Sequence, residues 1–372
     1  MKRLRIWLGW LLAGLLVLLA LLVGYIWLNS PGTTAPITDA AGKPLPNSIA
    51  TLEAIDLNGA KQWICIRGHD RRKPVLLFLH GGPGLPELPL LTGSPLEKQF
   101  VVVNWEQRGA GKSYDSRVYN PSFTTETLVN DAVQLSRYLA RRFGQPRIYL
   151  MGHSYGTLLG VLAVQKQPDL FRALFCIGQI VRQAEAERIS YDWLLQQARQ
   201  AGDEATVRRL ERHGRPENLS GDDWLAYLTW QRELVADYHG GMYRGDFFPL
   251  FIRSILLCRE YTLLDKILYG LGAQAAVRYL WPACVATDLT RSATKLAVPY
   301  YLFQGVHDYQ TPYVLAKQYY DRVEAPQKQL FTFTNSAHSP IFEEPERFMF
   351  LVDSVFSKHR GVEVTQRSPS LD

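Results

Sequence analysis

The pentad Gly152-His153-Ser154-Tyr155-Gly156 constrains this chain more than any other stretch. It has the form G-x-S-x-G. The apolar run Ile148-Tyr149-Leu150-Met151 precedes it, and residues 157–167 follow with an apolar helical pattern. A buried strand, a sharp turn and a helix are therefore expected, with the Ser on the turn. Such a turn strains the backbone at the Ser, so small residues are needed two positions either side. The hydroxyl then points off the end of the sheet. The helix N-terminus behind it favours developing negative charge.

A Ser hydroxyl is a poor nucleophile at neutral pH; it needs a base, and the base needs an orienting acid. In a strand–helix alternation of this kind the acid and base follow later strands, in the order Ser, Asp, His. Asp308 follows the strand expected at 298–304, and His338 follows the one expected at 329–333. Both leave their strands on the same edge as Ser154. His307 and Glu343 are the nearest substitutes and rank below them. The oxyanion needs two backbone donors. One is expected from Tyr155. The other is expected from the turn His80-Gly81-Gly82-Pro83-Gly84, with Gly82 ahead of Gly81; Pro83 has no N–H to give. His80 reads as a structural residue that orients this turn.

The remaining pattern is that of an α/β fold with a mostly parallel sheet. Asn58-Gly59 sits between residues 51–57 and 61–67, a hairpin signal. Residues 74–79, 100–105 and 173–179 read as buried strands, and 124–143 as a helix capped by Thr124 and stopped at Gly144. The rhythm breaks at 181–295, which is helical in pattern and rich in Trp, Tyr and Arg. It reads as a helical cap inserted between the two parts of a core at 49–180 and 296–360. A single helix is expected over 341–359, and 361–372 reads as a polar tail.

The first thirty residues read as a membrane anchor. Residues 6–28 carry no charge, enough to span a bilayer, after a start that contains Lys2, Arg3 and Arg5. Trp7 and Trp10 at one end and Tyr25 and Trp27 at the other suit the interfacial belts. The basic flank places the N-terminus in the cytoplasm and the rest of the chain outside. A cleaved secretion signal is the alternative. Residues 31–48 read as a linker. The basic start supplies three of the six net positive charges, and no basic stripe follows, which excludes nucleic acid as a partner. The four cysteines, Cys65, Cys176, Cys258 and Cys284, show no CxxC spacing, so no metal or redox site is expected and buried thiols are the default.

Taken together, His80-Gly81-Gly82-Pro83-Gly84, the run Gln107-Arg108-Gly109-Ala110-Gly111-Lys112-Ser113, the 152–156 elbow, Asp308 and His338 resemble the prolyl iminopeptidase branch of the α/β-hydrolase fold. The resemblance implies removal of N-terminal proline or other residues from short peptides, without a cofactor. It implies Ser154 as nucleophile, Asp308 and His338 as its partners, and Gly82 and Tyr155 as the oxyanion donors. Two positions depart from the pattern. Glu106 stands where the family has Asp before Gln-Arg-Gly. The family also binds the substrate's free amine with cap glutamates, one after a Trp, whereas this chain has Trp230-Gln231. Glu233 is the nearest replacement, with Glu185, Glu187, Glu204 and Glu260 behind it. An esterase or amidase acting on small or lipophilic acyl groups is the competing reading. A non-catalytic binding protein would be marked by a broken triad, and all three members are present.

Overall fold

A computed structural model describes residues 2–217, 219–245 and 247–359. Its centre is an eight-stranded sheet in the order β1-β2-β4-β3-β5-β6-β7-β8. The strands are β1 (Ile49–Leu57), β2 (Ala60–Gly68), β3 (Val75–Leu79), β4 (Val101–Glu106), β5 (Ile148–His153), β6 (Phe171–Ile177), β7 (Tyr300–Gly305) and β8 (Lys328–Phe333). Only β2 runs against the rest, paired antiparallel with β1 and β4. The β1–β2 hairpin turns on Asn58 and Gly59, both at positive φ (49° and 76°), as a two-residue turn of the primed type requires.

The central strands are buried on both faces because helices cover both. Leu77, Leu79 and Leu150 point into one core, with Leu128, Leu135 and Leu158. Leu76, Phe78 and Met151 point into the other, with Phe348 and Val352. This explains why β3 and β5 read as continuous apolar runs and not as alternating ones. Thr124 caps the helix Thr125–Arg142 by accepting from Thr127 N, and Gly144 beyond its end takes φ 62°.

Between β6 and β7 the chain is helical, with Gln183–Gln200, Glu204–His213, Gly221–Asp237, Phe247–Leu257 and Leu263–Ala286 as its main helices. At the C-terminal end the expected single helix is two, Pro340–Glu343 and Pro345–His359. Pro345 is the reason: it pushes the residue before it out of the helical region, and Glu344 lies at φ −129°, ψ 59°. Residues 361–372 lie outside the described residues. All four cysteines are buried and free.

Candidate active site

The elbow forms where the motif places it. β5 ends at His153, Ser154 takes φ 52° and ψ −121°, and the helix Tyr155–Lys166 begins at the next residue. The two glycines are steric necessities. A Cβ on Gly152 would lie 2.4 Å from the Gly156 carbonyl oxygen, and one on Gly156 would lie 2.0 Å from that of Leu79. Ser154 is half-buried, and its N–H donates to Ile177 O at the end of β6 at 2.8 Å.

Asp308 and His338 meet. His338 Nδ1 lies 2.9 Å from Asp308 Oδ2, and both side chains are buried. Asp308 is saturated with donors: Gln304 Nε2 and Thr311 Oγ1 reach Oδ2, and the N–H groups of Gln310 and Thr311 reach Oδ1. Burial pushes this carboxyl up, but the His338 imidazole and the hydrogen bonds outweigh it and hold the carboxyl below its usual range. It stays ionised and fixes the imidazole with its proton on Nδ1. Among the described residues no hydrogen bond joins the Ser154 hydroxyl to His338. Their neighbourhood is nevertheless shared. A Cβ on Gly178, the residue after Ile177, would fall 2.9 Å from His338 Cε1. His153 Nε2 lies 3.2 Å from His338 O and from Ser339 Oγ. Catalytic hydrogen bonds of this kind are often long before substrate arrives.

The glycine turn stands beside the elbow. A Cβ on Gly81 would approach Ser154 Cβ to 3.0 Å. Among the described residues the N–H groups of Gly81, Gly82 and Tyr155 donate no hydrogen bond, so three backbone donors stand free near Ser154. His80 braces the turn: Nδ1 donates to Gly81 O at 2.9 Å, and Nε2 accepts from Gln107 N at 3.2 Å. Burial holds this imidazole neutral, with its pKa lowered to about 4. Glu106 anchors the following loop. Its Oε2 accepts from Lys112 N at 2.7 Å and its Oε1 from Tyr261 OH at 2.6 Å, which ties the loop to the inserted helices.

Two carboxylates, Glu343 half-buried and Glu87 buried, hold groups around the site. Glu343 accepts from Ala337 N and Ser339 N at 3.0 Å, on either side of His338, and from Tyr243 N at 2.7 Å. Burial raises its pKa despite these donors. Glu87 pairs with His153 Nδ1. The inserted segment also touches the loops of Asp308 and His338: Tyr309 N donates to Gly240 O at 3.0 Å and His338 N to Gly241 O at 3.2 Å.

Glu233 is a correction. It is exposed, on a stripe of the helix Gly221–Asp237 with Asp222, Ala226, Thr229 and Asp237, while Trp230 and Gln231 are buried. A side chain on that stripe faces solvent, not the buried side of the helix where Trp230 and Gln231 lie. The buried acid of the inserted helices is Glu187, whose Oε1 accepts from Arg232 at 2.5 Å and from Gln183 at 2.8 Å.

Comparison with known proteins agrees with this architecture. Residues 74–345 match the family model described as the alpha/beta hydrolase fold. The chain is 32% identical, over 82% of its length and 96% of the relative's, to a probable aminopeptidase, YbaC, of Bacillus subtilis (strain 168). It is 22% identical to a proline iminopeptidase of Heyndrickxia coagulans, over 74% of this chain and 88% of that one. Among solved structures, a proline iminopeptidase-related protein of Thermus thermophilus superposes with a TM-score of 0.57 at 19% identity, covering 83% of this chain and 98% of that one.

Proposed function

This chain belongs to the α/β-hydrolase fold family as a prolyl iminopeptidase-like serine hydrolase, and from that premise we propose that it is a membrane-anchored aminopeptidase acting on short peptides through Ser154, His338 and Asp308. His338 Nε2 takes the Ser154 proton as the oxygen attacks the carbonyl carbon of the first peptide bond. The oxyanion that forms accepts from the N–H groups of Tyr155 and Gly82. His338 returns the proton to the leaving amine, and an acyl-enzyme remains. Water, deprotonated by the same imidazole, releases it. The observation that carries this reading is the 2.9 Å contact of Asp308 with His338, in a loop bonded to the residue before Ser154.

Residues 181–295 serve in this reading as a cap over the site. Trp7–Leu28, with none of its residues buried, serves as the anchor, with the N-terminus in the cytoplasm and the hydrolase outside. The alternative at this end is a secreted enzyme freed by cleavage.

An esterase or amidase acting on lipophilic acyl groups is the second reading. It is favoured by the state of the cap acids: Glu233 faces solvent and Glu187 is neutralised by Arg232. The experiment compares release from proline-naphthylamide, its N-acetyl derivative and p-nitrophenyl acyl esters. An aminopeptidase loses its rate on acetylation; a rate that survives acetylation, below that on the esters, assigns the esterase. Labelling by a fluorophosphonate probe is expected to vanish in Ser154→Ala. Labelling that persists at another serine would remove Ser154 as the nucleophile.

A further inference from the structure

The cap carries an apolar surface that the catalytic site does not use. On the helix Phe247–Leu257, Ile252, Leu256 and Leu257 are exposed. On the first half of Leu263–Ala286, so are Leu264, Ile267 and Leu271. The last three recur at helical spacing, where a helix facing water carries polar residues. The buried residues Tyr269, Gly272 and Ala276 occupy the rest of that helix's periodicity.

This surface is continuous with the N-terminal helix. Leu22, Tyr25 and Ile26 share an apolar groove of about 360 Å³ with Ile252, Leu256 and Leu257. The chain that leaves the helix is fastened to the cap beside it. Arg259 Nε donates to Thr33 O at 3.0 Å, Gly32 N donates to Arg259 O at 3.0 Å, and Lys266 Nζ donates to Ser30 Oγ at 2.5 Å. Placement then follows from length. Leu22 lies six residues before Leu28, about 9 Å of axial rise. A span that ends at Leu28 puts the cap helix Phe247–Leu257 beside its last 9 Å or so, the depth at which amphipathic helices settle, about 5–10 Å into the headgroup boundary. The charges at this edge suit phospholipid headgroups. Arg253 lines the groove and Arg259 is exposed, whereas of the nearby acids Asp265 pairs with Lys112 at 2.6 Å and Glu260 is buried.

We propose that the exposed faces of Phe247–Leu257 and Leu263–Ala286 dock on the phospholipid bilayer that the N-terminal helix spans, an inference that rests on the anchor reading above. The second of these helices turns its other side to the site: Tyr269 OH donates to Pro86 O at 2.7 Å, and a Cβ on Gly84 would strike Ala276. One helix thus separates lipid from the loop beside Ser154.

The test uses the full chain in vesicles of phosphatidylcholine and phosphatidylglycerol. The native cysteines are buried, so single nitroxides go on through Ile267→Cys, Leu256→Cys, Thr229→Cys and Leu18→Cys. Collision with oxygen, which concentrates in lipid, is compared with collision with a water-soluble nickel chelate. Thr229, exposed elsewhere on the cap, gives the aqueous reference, and Leu18 reports the span. The proposal expects the oxygen-to-nickel ratio at Ile267 and Leu256 to rise from the Thr229 value toward that of Leu18. Water-like ratios at both cap sites with a lipid-like Leu18 overturn the docking and leave the anchor standing. A water-like Leu18 overturns both. Shielding from both reagents, with spin–spin broadening that disappears on dilution with unlabelled protein, overturns it in favour of a second copy of this chain.

Discussion

The imidazole of His153 reaches Glu87 with Nδ1 and the carbonyl of His338 with Nε2, so one buried side chain links the elbow, the loop after the glycine turn and the histidine loop. Both ring nitrogens face acceptors, the arrangement of an imidazolium. Burial lowers the pKa of this group, but Glu87 outweighs burial and raises it. Glu87→Gln removes the charge and leaves a buried cation alone, a change that costs about 3–5 kcal/mol when nothing relaxes. Urea unfolding is expected to show that loss. The double variant Glu87→Gln/His153→Gln is expected to lose less than the sum of the two single changes, because the pair acts as one unit. Strict additivity would mean that the two side chains do not interact.

Asp308→Asn keeps the hydrogen-bonding shape but supplies no charge for the imidazolium and favours the wrong tautomer. The variant is expected to fold, and its kcat to fall by about 10⁴-fold. Circular dichroism and single-turnover acylation separate the two effects. A rate within a few-fold of the parent would move the acid elsewhere.

Glu343→Gln tests the carboxylate that holds the backbone on either side of His338. An amide can accept with one oxygen only, so at least one of the N–H groups of Tyr243, Ala337 and Ser339 loses its partner. A small displacement of His338 is expected to lower kcat by up to about 10²-fold, with KM nearly unchanged. Fluorophosphonate labelling should slow in parallel with turnover; labelling at the parent rate would show that Glu343 does not set the base.

Glu106 gives the fold a pH dependence. Burial lifts its carboxyl from 4.5 to about 7, against the opposing hydrogen bonds from Tyr261 and Lys112. The folded protein therefore keeps a proton there that the unfolded chain releases between those values. The contribution to stability is present at low pH and lost as pH rises through that window. Glu106→Gln is expected to flatten this part of the profile, read as denaturation midpoints between about pH 4.5 and about pH 7. A slope equal to the parent's would assign the titration to another group.

Some of this site could be read without coordinates and some could not, for physical reasons. Ser154, Asp308 and His338 sit at strand ends, and strand ends of a parallel sheet gather on one edge whatever the loops do. Glu87 acts on a ring brought close only by the fold, and nothing in its neighbours in sequence marks it; Glu343 reaches Ala337 and Ser339 within six residues, but its third partner, Tyr243, only through the fold. Glu233 lies three residues from Trp230 along the chain, but helical phase, not that distance, decides which side chains the helix buries. Thr229 four residues before Glu233, Asp237 four after it and Asp222 eleven before it, about three helical turns away, already mark a solvent stripe. The break at Pro345 was visible in the same way, as a residue that disfavours helix before it.

The two carbonyls of Gly240 and Gly241 each receive a backbone N–H from a different catalytic loop, one from Tyr309 beside the acid and one from His338 itself. Lifting that segment to admit a bulky guest would release both loops at once. Under the proposed function, a guest that displaced this segment would loosen the acid's loop and the base's loop together, so it would be held without being cut.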